Sequence, residues 1–379
     1  MPPDTRDLTL DTLRGFALVS MTLTHAARLS SFSLLVNSPV YVDAGDLFIT
    51  ISGFTLGMLG VKKLRSQGPR RVYASVLGRA LQLWLIHVSL MLLAVALNEW
   101  VVNLGLPQLQ AFGGLVQTLG VVLSLRFQSD LFLNILPLFV VFFLVAPLFW
   151  EAIRRKIWPL ALGVSALLWC SAQFEPNLLP WLDPRSGTPV FSLAAWQFAF
   201  FVGLLLGAMR ERLAAWLKPH ERSLLMLALL IFTLLFVFVR LQGPSFARLG
   251  LHLPAAAWRW AFLKQTWAPL RVLYTLSELV LLYAGFRAVA QASQRVRWAR
   301  FIDRHVLTRL STIGQHSLVC FVAHIPLAIF SVLAEFDERP RVFRDLYAVF
   351  SLAVIYGVAA VSRKSSRRLA VGFGNKGQS

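Results

Sequence analysis

The chain has 379 residues, 57% of them apolar and only 15% charged, with a mean hydropathy of +0.64. Soluble domains run at about 45–50% apolar and about 25% charged, so disorder, a coiled coil and an ordinary soluble enzyme are excluded and a polytopic membrane protein remains. Lys and Arg number 37 against 18 Asp and Glu, a net charge of +19. Such basicity can mark nucleic-acid binding, but in an apolar chain it is first a topology signal.

Taken in order, the leading residues carry Asp4, Arg6 and Asp7. That pattern does not suit a cleaved signal peptide, so the first apolar segment, 12–28, is read as a retained membrane helix. It contains Arg14 and His25. Segment 43–61 opens with Asp43 and Asp46 and continues through Ser52, Gly53 and Gly57. A basic stretch, 62–72, precedes segment 73–98, which holds Arg79 and His87. Residues 101–125 are apolar but interrupted by Gly105, Pro107, Gly113, Gly114 and Gly120, and are read as interfacial or re-entrant. Seven more spanning segments follow: 131–150, 157–174, 190–209, 223–241, 269–290, 311–334 and 343–362. Of these, 269–290 carries Glu278, and 311–334 carries His316 and His324. Residues 363–379 are basic and Gly/Ser-containing, and are read as a disordered cytoplasmic tail against the anionic inner leaflet.

The predicted fold is all-α: a polytopic integral membrane bundle of about ten transmembrane helices, one domain over 1–362, with both termini cytoplasmic. With the N-terminus inside, the inner segments hold 24 of the 37 basic residues and the outer ones 11, as the positive-inside rule requires. That asymmetry accounts for most of the charge and removes nucleic acid as a partner. The longer outer loops, near 101–130 and 242–268, could cap a site, but Trp258, Trp260 and Trp267 equally suit an interfacial aromatic belt. Cys170 and Cys320 lie in apolar runs without metal-ligand spacing and read as small hydrophobes. No metal is expected.

Ionisable groups inside a membrane are costly and mark function by default. Arg14 and His25 are eleven residues apart, about three turns plus 20°, so they share one helix face with a rise of about 16 Å. The alternative is that Arg14 snorkels to one interface and His25 lies at the other. Asp43 and Asp46 share a face as well. They could complement a helix dipole, or orient His25 as a general base, Asp46 being the deeper of the two. Arg79, about two turns into its helix, calls for an anion; with Arg14, Arg70 and Arg71 it could hold phosphates. Gly53 and Gly57 make a small-xxx-small pair suited to close helix packing. Ser52, the amide near Gly53, and His316 are candidate substrate or oxyanion contacts, with packing as the alternative.

Several motifs resemble a known family. Arg6-Asp7-Leu8, then Leu13-Arg14-Gly15-Phe16-Ala17-Leu18 and His25, is similar to the opening of the membrane-bound acyltransferase superfamily. The superfamily's hallmark is an Arg, ten residues and a His on the first helix. Within it the chain looks like the OpgC branch. Asp43-Ala44-Gly45-Asp46-Leu47-Phe48 with Ile51-Ser52-Gly53-Phe54, Leu133-Asn134-Ile135-Leu136-Pro137-Leu138, Ala195-Trp196-Gln197-Phe198 and Ile313-Gly314-Gln315-His316-Ser317-Leu318 extend the likeness over most of the chain. Thr24, Asp46 and Gln315 stand where that branch often has Asp, Glu and a basic residue.

The resemblance implies acyl transfer, succinylation in the founding case, from a cytoplasmic acyl-coenzyme A to a periplasmic glucan or other envelope glycan at a bacterial inner membrane. His25 would be the base, Asp46 or Asp43 its orienting acid, and acyl-CoA a co-substrate, with no tightly bound cofactor. The competing expectation is a transporter or flippase for an anionic metabolite or lipid-linked sugar, although no inverted repeat with paired broken helices is evident.

Overall fold

The computed structural model describes residues 7–37, 44–103, 120, 123, 135–176, 178–179, 191–241 and 254–374; for 94–103, 255, 256, 259 and 366–374 it describes the backbone alone. The described residues form helices and short connections, with no strand among them. The helices are α1 (Leu8–Ala26), α2 (Ser31–Asn37), α3 (Ala44–Gln67), α4 (Pro69–Asn103), α5 (Ile135–Arg154), α6 (Trp158–Phe174), α7 (Leu193–Ala208) and α8 (Arg210–Leu217). They continue with α9 (Glu221–Leu241), α10 (Ala255–Phe262), α11 (Pro269–Ala292), α12 (Arg297–Ile302), α13 (Thr308–Gln315), α14 (Ser317–Leu333) and α15 (Arg341–Gly374). Segment 101–125 lies almost wholly outside the described residues.

Six of these helical stretches are long and apolar enough to cross a membrane, and a seventh if α12–α13 and α14 count as one bent span. The protein is therefore a multi-pass membrane protein of all-α class. Segment 311–334, read as one spanning segment, is broken at His316, whose backbone leaves the helical region (φ −111°, ψ 33°), and the two arms meet at 95°. Among the other expected spans, α6 and α7 reach only 17 and 16 residues. Helix α1 is interrupted by Asp11, Arg14, His25 and several hydroxyl residues. The surface of α9 argues most directly for lipid. Leu225, Met226, Leu227, Leu229, Leu230, Leu234 and Val237 are all exposed along it, an apolar surface that water would not tolerate.

By contact, the chain divides into two compact units: residues 1–48, 225–232 and 276–379, and residues 49–224 and 233–275. In the first, α1 is the axis. It packs against α13, α14 and α15, and α2 rests on α1 and α15. The α1–α13 crossing is closed by glycine on both sides. A Cβ on Gly15 would run into the Leu310 carbonyl, and one on Gly314 into the Asp11 carbonyl. The N-terminus of α1 is capped by Asp7, whose Oδ1 accepts from the amides of Thr9 (3.0 Å) and Leu10 (3.4 Å).

In the second unit α4 packs on α5, and α5 and α6 on α7. Gly53 and Gly57 of α3 face Gly203 and Gly207 of α7: added Cβ atoms on the first pair would meet the carbonyls of Phe200 and Leu204, and on the second those of Thr50 and Phe54. The close-packing reading of the α3 glycines is the one the structure uses. Its other half, on α7, lies about 150 residues away in sequence. An aromatic core sits beside this crossing, with Phe142 stacked on Phe200 (4.9 Å) and Phe149 on Phe201 (3.9 Å).

Helices α6 and α7 are pinned by a buried polar clamp. Ser165 Oγ donates to Gln197 Oε1 (2.6 Å), while Gln197 Nε2 donates to the carbonyls of Ser165 (2.8 Å) and Ala194 (2.9 Å). Replacing Gln197 with Leu orphans the Ser165 hydroxyl and is expected to cost about 1–2 kcal/mol, read as a lowered melting temperature. Adding Ser165→Ala should recover part of that loss. The same helices hold the segment after α10. Trp196 Nε1 donates to the Lys264 and Gln265 carbonyls (both 3.1 Å), Trp169 Nε1 to Trp267 O (3.1 Å) and Gln173 Nε2 to Thr266 O (2.8 Å). Trp267 is fully buried there and so is no part of an interfacial belt, whereas Trp260 is 47% exposed.

Candidate functional site

The site is built on α1. Arg14 and His25 both reach α14: Arg14 Nη2 donates to Ser317 Oγ (2.5 Å), and His25 Nδ1 lies 3.2 Å from His324 Nε2. Their common face is thus turned toward one helix. Ser317 and His324 are seven residues apart, two turns along α14. The His316 break makes the first contact possible, because it places Ser317 at the very start of α14. On the other side of that break, Ser362 Oγ of α15 sits 2.9 Å from His316 Nδ1.

The proton positions in the His pair follow from chemistry. His324 Nδ1 is 2.5 Å from the Phe321 carbonyl. A carbonyl can only accept, so Nδ1 carries the hydrogen. In the neutral ring Nε2 then holds a lone pair and accepts from His25 Nδ1–H. That leaves the lone pair of His25 on Nε2, the tautomer a general base needs. The rings lie 5.4 Å apart, inclined at 29°. His324 is fully buried, and Phe321 stands edge-on to it at 4.8 Å. Phe48 of α3 stacks on Phe321 (5.9 Å), which brings the first turns of α3 beside the pair.

That first turn also contains Asp46, which is completely buried. Asp43 lies outside the described residues. The sequence reading has Asp46 or Asp43 hold the His25 imidazole; the structure adds His324, whose Nε2 faces His25 Nδ1. His324 lies on α14, 299 residues further along the chain, beyond the reach of any helical period. Glu278 of α11 is buried as well.

The other basic candidates belong to the second unit. Arg70, Arg71 and Arg79 are exposed on α4, and Arg79 Nη1 donates to Gln82 Oε1 of the same helix (2.8 Å). Ser52 is half-buried on α3. Gly53 lies mid-helix, where its N–H belongs to the helix ladder and its open face is filled by the Phe200 carbonyl. Among the described residues no group of three or more His, Cys, Asp and Glu could hold a metal.

An Arg and a His on one face of the first helix, both engaged by a later broken helix, sit in a chain that matches a family model along nearly all its length. The model, described as OpgC protein, covers residues 6–367. The chain belongs to the OpgC family. No curated protein and no solved structure matches it. OpgC membership makes it an acyltransferase-type membrane enzyme, and the OpgC match takes in α1 to α14 whole and α15 as far as residue 367.

Proposed function

We propose that the protein moves an acyl group, succinyl in the first instance, from cytoplasmic acyl-coenzyme A to a hydroxyl of a periplasmic glucan or related envelope glycan. The enzyme would lie in a bacterial inner membrane, with ten spans and both termini cytoplasmic. The observation that carries the reading is the His25–His324 pair, which leaves the His25 Nε2 lone pair in place on the same helix face as Arg14.

His25 Nε2 takes the proton of the glycan hydroxyl as the oxygen attacks the thioester carbonyl. The tetrahedral intermediate then expels the coenzyme A thiolate, which recovers that proton from the imidazolium. The products are a glycan ester and free coenzyme A. His324 holds the ring through Nδ1, and the buried Asp46 offsets the imidazolium charge. An acyl-His25 intermediate is the alternative order of steps. The cations assigned to the phosphates of the donor are Arg14 on α1 and, each by itself on α4, Arg70, Arg71 and Arg79. Ser52 and His316 are the side chains assigned to the oxyanion or the acceptor.

The test is purified protein in lipid vesicles, supplied with succinyl-coenzyme A on one side and periplasmic glucan on the other, with mass spectrometry of the glucan. Transfer that needs both substrates supports the proposal. Saturable glucan or metabolite flux without any donor, and no modified glucan, would replace it with a transporter. Arg14→Ala is expected to raise the KM for the donor at least tenfold, since a charge-assisted contact of about 1.5–3 kcal/mol is lost. Ser317→Ala should move it far less, because the guanidinium remains.

A further inference from the structure

Three stretches that the charge count places on the cytoplasmic side, 62–72, 151–156 and 210–222, are usually explained by topology alone. In the second unit they converge. The C-terminal ends of α3, α5 and α7, with the starts of α6 and α8, line an open cavity of about 480 Å³, a size suited to a small ligand. Arg65, Arg154, Lys156 and Arg212 line it, against a single carboxylate, Glu211. Arg154 is partly neutralised by Glu151 (3.2 Å); no ion pair of Arg65, Lys156 or Arg212 occurs among the described residues. Trp158 supplies a half-buried indole wall.

One backbone feature sets Lys156 apart. It sits just past the end of α5 with φ +61°, in the left-handed region. Its turn is a helix-ending one, with Ile157 N–H bonding back to Ala152 O (2.9 Å). Glycine is the residue such a position favours. A lysine there accepts backbone strain and brings a cation to the cavity wall.

We propose that this cavity binds a phosphate ester, its anionic oxygens held by Lys156, Arg65 and Arg212 and its less polar part lying along Trp158. Two sources offer that chemistry: one of the several phosphates of the coenzyme A donor, the others falling to the arginines already assigned, and the headgroup of an anionic phospholipid. The first rests on the acyl-transfer reading; the second does not.

The experiment uses full-length protein in phosphatidylcholine nanodiscs, with binding of radiolabelled coenzyme A and of phosphatidylglycerol measured separately, the latter by native mass spectrometry. Lys156→Gly removes the cation and suits the left-handed turn, so it should fold at least as well as the wild type. It is expected to weaken one ligand about tenfold or more, and Arg212→Gln should act in the same direction. A drop confined to coenzyme A assigns the cavity to the donor; a drop confined to phosphatidylglycerol assigns it to lipid. If both variants bind both ligands as the wild type does, or the wild type binds neither, the proposal is overturned. Binding is read without turnover, so an inactive acyl-transfer assay leaves this result intact, and a failed cavity leaves the His25 assignment intact.

Discussion

His25→Ala is expected to lower acyl transfer by about 10²- to 10⁴-fold, the usual contribution of a positioned general base, while binding of the donor stays close to normal. His324 gives the sharper test. His324→Ala removes the acceptor of His25 Nδ1–H and lets the ring turn, so transfer should fall by up to about 10²-fold through lost orientation. His324→Gln, which keeps both an acceptor and a donor, should retain more activity than His324→Ala. If His324 merely filled space, the two variants would track melting temperature and leave kcat per folded molecule unchanged. If it positions the base, kcat falls and the donor KM does not. Wild-type transfer by His25→Ala would sink the base assignment outright.

Much of this arrangement was readable from spacing. Arg14 and His25 lie eleven residues apart, and helix geometry alone puts them on one face; the structure shows what that face meets. The small-xxx-small step at Gly53 and Gly57 likewise announced a close crossing. Its partner, Gly203 and Gly207, could be matched only once α7 stood against α3. Local sequence was weakest where function depends on distant pairs. His324 sits in an uninterrupted apolar run before Pro326, and nothing near it indicates a second imidazole from α1. The break at His316 was hidden for a related reason. Hydropathy across 311–334 is continuous, and the polar cluster Gln315-His316-Ser317 reads simply as the start of the spanning helix. Its meaning comes from Arg14 and Ser362, which lie 303 residues before Ser317 and 46 after His316. The basic loops misled in the other direction. Topology explains their charge so completely that nothing suggested three of them would share a cavity.

The glycine pair beneath the site should be the most sensitive point in the fold. Helices α1 and α13 approach backbone to backbone at Gly15 and Gly314, and the obstacle to any added Cβ is a main-chain carbonyl on the facing helix. A flexible side chain could swing aside, but a carbonyl in a helix ladder cannot move without its helix. Gly15→Val therefore must push α1 and α13 apart. Overpacking of this kind typically costs about 1–3 kcal/mol and can cost more, and here it also shifts Arg14, the residue before Gly15, away from Ser317. The expected outcome is little folded protein, or folded protein with a markedly lower melting temperature and almost no transfer. Gly78, Gly163 and Gly285 provide the control. They are helical as well, but a Cβ on any of them meets nothing within 4 Å. Alanine there should be neutral or stabilise by up to about 1 kcal/mol, through helix propensity alone. Equal melting temperatures for Gly15→Val and Gly163→Ala would show that the α1–α13 crossing is not as close as described, and the geometry that brings Arg14 and His25 to α14 would lose its support.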